Sequence, residues 1–425
     1  MKSQQIYMVG IGGIGMSALA QLLVAQGNHV SGSDRSESPT TELLTSQGIE
    51  VAIGHDQCLI PADTELLIYS DAVPEANAER ARAREMGIRE VPYFEALGEA
   101  TKSTRTIAIA GTHGKTTTTG MLAKILQYCD KQPTAIVGSI VRDFESNFLL
   151  GRPELFVVEA CEYRDHMLKL SPEILVITNI ELDHTDYFPD LAALQASFRK
   201  AAERVPRHGA IVTNPYDPVI AGAIGSASAP ILDYTTQSVP ALSQIGEFNR
   251  DNARAAKCAA RAAFPHLAEE YIDRALLDFK GSWRRFEYRG ETPRGAMVYD
   301  DYAHHPTAIA KTIEAARERY PQKRIVVAFH PHTYTRTHAL MDDFAQALAS
   351  ADSAIVAPIF AAREAPIEGV TSTVLAERAQ AQGGRVVAMD SFDDIRDALL
   401  SEAGDTLIIT MGAGDIYKVA EQIAD

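Results

Sequence analysis

The 425-residue sequence predicts an α/β protein of three domains, each built on a mostly parallel sheet covered by helices. Three observations carry that expectation: continuous apolar strand runs, helical stretches between them from end to end, and two polar breaks. The runs include Ile6-Tyr-Met-Val9, Leu66-Leu-Ile-Tyr69, Thr106-Ile-Ala-Ile-Ala110, Phe156-Val-Val158, Ile174-Leu-Val-Ile177, Ile325-Val-Val327 and Leu407-Ile-Ile409. Runs with no polar alternate read as strands buried on both faces, hence parallel sheets between helices. The breaks fall in the polar stretch 98–105 and near Gly281-Ser-Trp-Arg-Arg285, after helical segments at 253–264 and around Leu276. They divide the chain into 1–103, 104–281 and 282–425, and a chain this long needs more than one core.

Composition narrows the function classes. A hydrophobic content of 46% with 23% charged residues is that of a soluble globular protein. The net charge of −16 argues against a general nucleic-acid or anionic-membrane surface. It leaves room for a phosphorylated ligand held by local N–H groups and cations. Cys58, Cys129, Cys161 and Cys258 form no CxxC pair, which suits a reducing compartment and offers no zinc framework. The N-terminus reads as a strand and glycine loop rather than a signal peptide, and no apolar run approaches the ~18 residues of a membrane span. The expected location is the cytoplasm, with neither nucleic acid nor membrane as partner.

The strand at 5–9 runs into Gly10-Ile-Gly12-Gly-Ile-Gly15 and an amphipathic helix through Gln26. A GxGxxG in that setting lets backbone close around a diphosphate at a helix N-terminus. Asp34, ending the next strand, is placed to meet a ribose hydroxyl. Alone, the motif reads as dinucleotide binding, with a tight turn that binds nothing as the alternative; what it supports is a nucleotide diphosphate of some kind.

The second loop says more. Thr106-Ile-Ala-Ile-Ala-Gly111-Thr112-His113-Gly114-Lys115-Thr116-Thr117 delivers glycines, a lysine and a hydroxyl row from a buried strand into a helix. Backbone N–H groups can cradle a phosphate tail, Lys115 can reach the β- and γ-phosphates, and Thr116 can hold Mg²⁺. Ile109 stands where the first glycine of GxxxxGK(S/T) belongs, so the loop is shortened. A dehydrogenase has no use for this loop and a kinase none for the first. A ligase that consumes ATP on a nucleotide-linked substrate uses both.

Acidic groups follow two further strands: Glu159-Ala-Cys-Glu162-Tyr, and Thr178-Asn179-Ile-Glu181-Leu-Asp183-His184. Carboxylates past parallel strand ends face the ligand crevice, which makes Glu159 and His184 metal candidates. Mg²⁺ favours oxygen, and Mn²⁺ tolerates a histidine better. In the last third, Trp283-Arg-Arg285-Phe, Tyr299-Asp-Asp301-Tyr302-Ala-His304-His, His330-Pro-His332-Thr-Tyr-Thr-Arg336, Ala362-Arg363-Glu364 and Met411-Gly-Ala-Gly-Asp415 again follow strands. They offer arginines for phosphate or carboxylate and acids for an amine or ribose.

In order along essentially the whole chain, GIGGIGM, GTHGKTTT, EACEY, TNIELDHTDYF, RRFEYRG, YDDYAHHPT, PHTYTRT, AARE and MGAGDIY resemble the Mur ligases. The resemblance implies a Rossmann-like UDP-sugar domain, a central P-loop ATPase domain and a Rossmann-like C-terminal ligase domain. It implies ATP-dependent joining of L-alanine to the carboxylate of UDP-N-acetylmuramate through an acyl phosphate, in peptidoglycan precursor synthesis, by a monomer or homodimer. Gly12, Gly13 and Gly15 would meet the UDP diphosphate. Gly111 to Thr117 would hold ATP, with Asn249 and Asn252 at the adenine and Thr116, Glu159 and His184 on metal. Lys115, His184, Arg285, Asp301, His304 and Arg336 would be catalytic, with Arg285 and Asp301 reaching ATP across the domain boundary. Tyr302, His304 and Arg336 would line the carboxylate and alanine pocket.

The chain also departs from that family. Phe248 replaces a usual histidine, His330 a common glutamine, and Thr333 a frequent arginine. The segment between Phe188 and Gly246 is short, as if a strand or hairpin were missing. Phe198 falls where several relatives carry a carbamylated lysine, and Lys200 nearby reads as a surface residue, so no carbamylation is expected. The alternatives are a Mur-type ligase for a peptide or another amino acid, a dehydrogenase built on the first glycine loop, and an inactive relative.

Overall fold

The computed structural model describes residues 3–362 and 364–424; Arg363 of the Ala362-Arg363-Glu364 group lies outside them. The molecule is built on three sheets that follow one another along the chain. In spatial order the first is Glu50–Ile53, His29–Asp34, Gln5–Val9, Leu66–Tyr69, Arg89–Pro92, parallel throughout. The helix Tyr93–Thr101 leads out of it towards the strand Arg105–Ala110, which lies in the second sheet.

That second sheet runs Ile231–Asp233, Ala210–Thr213, Ile174–Ile177, Arg105–Ala110, Arg152–Glu159, Pro133–Val141, Ser146–Leu149. Only Ser146–Leu149 is antiparallel to its neighbour. The segment 189–245 supplies the two strands Ala210–Thr213 and Ile231–Asp233 and the helices Leu191–Glu203 and Pro218–Ile224. Phe198 is fully buried in the core, whereas Lys200 is exposed.

The third sheet is Glu287–Glu291, Met297–Asp301, Thr406–Met411, Arg324–Phe329, Ser353–Val356, Val386–Ala388, with the first strand antiparallel. Every apolar run named above is a strand with at most a few per cent exposure at its centre, because helices cover both faces of each sheet. All three sheets are mostly parallel, as expected. Among the described residues no helix is long and apolar enough to cross a membrane.

Parallel strands point their C-terminal ends the same way, and the loops that leave those ends carry the chemistry. In the central sheet, Arg105–Ala110 pairs with both Ile174–Ile177 and Arg152–Glu159. The phosphate loop therefore lies between the 178–184 loop and the 159–163 turn.

Candidate active site

Two glycines make the phosphate loop possible. Gly111 has φ +129°, and a Cβ there would sit 2.0 Å from Thr178 Oγ1; Gly114 has φ +83° and would meet Asn252 Oδ1 at 2.2 Å. The loop is stitched to its neighbour: His113 N–H donates to Asn179 Oδ1 (2.9 Å), Thr112 Oγ1 to the Glu181 carbonyl (2.9 Å), and Thr178 Oγ1 to the His113 carbonyl (2.6 Å). Gly114 then caps the helix Lys115–Tyr128, whose first-turn N–H groups have no partner within the helix. Such a helix start favours an anion.

Lys115 folds back over the loop, donating to the Thr112 carbonyl (3.2 Å) and pairing with both Glu162 oxygens at 2.9 and 3.0 Å. Burial would lower the lysine, but the Glu162 carboxylate beside it outweighs burial and leaves its pKa raised. Glu162 is 1% exposed. Burial pushes it up, yet Lys115 and then His184, 3.6 Å away, hold it below its ordinary value. Of the two acids in the EACEY turn it is Glu162, not the metal candidate Glu159, that lies between Lys115 and His184.

Glu159 behaves differently. Burial raises its carboxyl, offset only in part by the Gly138 N–H, Lys115 and Arg285. Thr116 Oγ1 donates to it at 3.3 Å. A half-buried carboxylate beside a hydroxyl that opens a phosphate-binding helix is an oxygen donor set of the kind Mg²⁺ takes, so these residues fit a divalent cation. His184 faces Glu162 rather than Glu159.

The third sheet adds two arginines. Arg284 and Phe286 both have positive φ (57° and 47°), a strained turn that sends consecutive arginines in different directions. Arg284, not among the expected site residues, is buried on Asp300 (2.7 Å) and the Gly412 and Gly414 carbonyls. Arg285 points across the domain boundary and donates to Thr116 Oγ1 at 3.2 Å, with its Nε buried and unpartnered. Asp301, expected to reach ATP itself, spends its oxygens on the Phe286 and Ala303 N–H groups (2.8 and 2.7 Å). It shapes the turn that aims Arg285. Burial pushes Asp301 up to about 6, with Arg285 pulling the other way.

Beside this turn lies a cavity of about 310 Å³, lined by Asn249, Arg285, Phe286, Tyr299 and Tyr320 among others. Phe286 stacks on Tyr299 with ring centroids 4.3 Å apart, so one wall is a flat aromatic surface suited to a base. The two asparagines expected at adenine are split. Asn249 lines the cavity, whereas Asn252 sits under Gly114, accepting from Thr118 and donating to Asn249.

Arg336, expected to hold substrate carboxylate, is committed to the protein: its Nε and Nη2 both lie 2.9 Å from Asp183 Oδ1 on the central domain. Burial would raise Asp183, but Arg336 and the surrounding histidines hold it well below the usual carboxylate range. His304 is driven well below its ordinary value by burial and then by Arg336. Its Nδ1 donates to the Tyr302 carbonyl (2.9 Å), leaving Nε2 as an acceptor. Tyr302 covers Arg285, whose guanidinium lies 5.2 Å from its ring centroid.

His113, Glu181 and His305 also converge, with ligand-type atoms within 4.8 Å of one another. His305 Nδ1 accepts from the Thr307 N–H (3.3 Å), so its proton sits on Nε2 and points at the Leu182 carbonyl (3.2 Å). That tautomer gives a cation no lone pair. The cluster is a contact between domains.

In the first domain Asp34 does not face outward. It accepts from Gly12 N–H at 2.9 Å while Thr40 donates to the Gly12 carbonyl, and Gly13 N–H is used on the Gly10 carbonyl (3.1 Å). The helix Ile14–Ala25 leaves its first-turn amides, Gly15 among them, without a partner in the helix. This helix start is close to the central sheet: Asn147, on the edge strand Ser146–Leu149, donates to Ser17 Oγ (2.9 Å) and to the Ile14 carbonyl. The first glycine loop thus lies against the edge of the central sheet.

Comparison with known proteins covers all three sheets. Residues 5–105 match "Mur ligase family, catalytic domain", residues 109–255 "Mur ligase middle domain", and residues 284–414 "Mur ligase, glutamate ligase domain". A UDP-N-acetylmuramate–L-alanine ligase of Clostridium novyi is 37% identical, the alignment covering 100% of this chain and 98% of the relative. Its namesake from Caldicellulosiruptor saccharolyticus is 36% identical over 99% and 98%. Among solved structures, the UDP-N-acetylmuramate–alanine ligase of Thermotoga maritima superposes with a TM-score of 0.80 at 26% identity, covering 99% of this chain and 98% of that one. A murein peptide ligase of Psychrobacter arcticus shares the fold, with a TM-score of 0.75 at 23% identity over the full length of both chains.

Proposed function

Since the chain belongs to the Mur ligase family, we infer that it joins L-alanine to the lactyl carboxylate of UDP-N-acetylmuramate, converting ATP to ADP and phosphate in peptidoglycan precursor synthesis. The observation that carries this reading is Arg285. A guanidinium from the third domain meets the phosphate-loop hydroxyl of the second with one N–H buried and unpartnered, which leaves a donor available to a phosphate. Full-length relatives at 36–37% identity bearing that activity in their names support the choice of alanine.

The reaction runs in two transfers. A lactyl carboxylate oxygen attacks the γ-phosphorus, the bond to the β-phosphate oxygen breaks, and ADP departs from an acyl phosphate. The alanine amine then attacks the acyl carbon, phosphate leaves, and the amine loses a proton. Lys115 gives up its hold on Glu162 to the phosphate tail, and Arg285 neutralises charge growing on the transferred group. Thr116 and Glu159 would hold a divalent cation, Mg²⁺ by its preference for oxygen, which would supply further positive charge at the phosphates. His304 stays neutral and presents Nε2 as an acceptor that orients the incoming amine. Closure of the third domain keeps water from the acyl phosphate. The cell compartment that suits these substrates is the cytoplasm.

An ADP-release assay across UDP-sugars and amino acids tests the reading. Release sustained over many turnovers should require UDP-N-acetylmuramate and L-alanine together. Sustained release driven by tripeptide but not by alanine, or with no amine partner at all, ends it.

A further inference from the structure

Tyr93 is the first residue of the helix Tyr93–Thr101 that leads from the first sheet towards the second. Its hydroxyl lies against the glycine turn. A Cβ on Gly15 would come 2.5 Å from Tyr93 Oη and 2.6 Å from Cζ. The ring is 9% exposed and packs edge-on to Phe94 at 4.6 Å; Phe94 stacks on His166 at 3.7 Å, and His166 pairs with Asp71 at 2.9 Å. The phenol is therefore wedged between the first and second domains. Burial, then Glu159, Cys161 and Asp71, raise its pKa, so the hydroxyl keeps its proton and can only be a donor to an anion. Glu159 is the carboxylate on Thr116, so the group that touches the sugar-nucleotide turn also feels the ATP site.

We propose that Tyr93 is a substrate-binding residue whose hydroxyl donates to an oxygen of the nucleoside-diphosphate sugar beside Gly15, where the substrate passes from the diphosphate towards the phosphate loop. The inference rests on the sugar-nucleotide reading above. It extends that reading to a residue outside every glycine, lysine and acidic motif. The hydroxyl borders the partnerless first-turn amides of the helix Ile14–Ala25, and a neutral donor added there serves the same anion.

Tyr93→Phe keeps the ring and its edge contact with Phe94 and removes only the donor. Loss of a hydrogen bond to a charged oxygen predicts roughly tenfold or greater weakening of binding. Isothermal titration of the full chain with UDP-N-acetylmuramate should show that loss, KM for the same compound should rise, and KM for ATP should stay within about twofold. Equal affinity of wild type and Y93F for UDP-N-acetylmuramate overturns the proposal. So does an equal rise in the KM of ATP, which a packing defect would give. If Y93F does not accumulate, 3-fluorotyrosine at position 93 gives the same answer by ¹⁹F resonance. A shift on adding UDP-N-acetylmuramate supports the contact, and no shift overturns it. Failure of the wild type to bind UDP-N-acetylmuramate is a separate result and defeats the underlying reading.

Discussion

The two seams of this molecule are made differently. Between the first and second domains one apolar cluster runs through, with Ile6, Leu19 and Leu22 on one side and Ile136, Phe148, Phe156 and Leu175 on the other. Its polar part combines neutral bonds, Gln21 donating to Asn147 (3.2 Å) and Asn147 to Ser17, with the ion pairs His166–Asp71 (2.9 Å) and Lys169–Glu95 (3.2 Å). Between the second and third domains the contacts are charged or hydroxylic: Arg336 on Asp183, Arg285 on Thr116, Arg142 on Glu287 and His305 on the Leu182 carbonyl. The third sheet keeps apolar clusters of its own. Burying apolar surface is favourable without regard to direction, so the first seam stays shut. An ion pair exchanged for water changes free energy little, so the second can part.

The largest effect expected from breaking this arrangement is at Lys115. Lys115→Met should lower turnover by a factor of about 10³ or more if the ammonium acts in phosphoryl transfer. It also strands buried Glu162, a defect of about 3–5 kcal/mol. Phosphate release and thermal melting read the two effects. K115M/E162Q should recover the melting temperature without recovering turnover, and recovery of both would remove Lys115 from the chemistry.

At the charged seam, Asp183→Asn should cost about 2 kcal/mol of closure, a thirtyfold or larger fall in kcat/KM. The radius of gyration in solution scattering should rise while the melting of the first two domains stays put. The apolar seam should answer in the opposite way. Asn147→Ala leaves Gln21, Ser17 and the Ile14 carbonyl short of partners and should lower stability by about 2 kcal/mol. The scattering profile should not change. If D183N destabilises the fold and N147A opens the molecule, the comparison is inverted.

A smaller effect follows from pH. Burial first, then Arg336 and His330, push His332 down to about 4, and His304 is also lowered. Groups whose pKa is lower in the closed state bind fewer protons there than when exposed, so closure weakens as pH falls from about 6.5 towards 4. Glu364 and Asp183 oppose the shift of His332 but do not reverse it. Scattering across that range should show opening on the acid side, and opening on the alkaline side would contradict the assignment. Smallest of all, Lys200→Ala should leave activity within about twofold, because the side chain is exposed and Phe198, not a lysine, is the buried residue near it.

The sequence by itself determined the strands, the three mostly parallel sheets and both glycine loops. Each depends on the order of residues within a stretch of about fifteen: an apolar run, glycines with positive φ, a helix start. Lys115 and Thr116 were legible for the same reason, since their surroundings are their own chain neighbours. What each charged side chain grips was not legible. Arg336 meets Asp183 across 153 residues, Arg285 meets Thr116 across 169, and Lys115 meets Glu162 across 47. Half-buried Asp34 turns to the Gly12 amide, and Asp301 spends its oxygens on backbone amides because a buried carboxylate must be satisfied by whatever donors the fold brings near. Only the tertiary structure makes those choices. A charge is paired through space, and no local pattern records which distant segment will arrive.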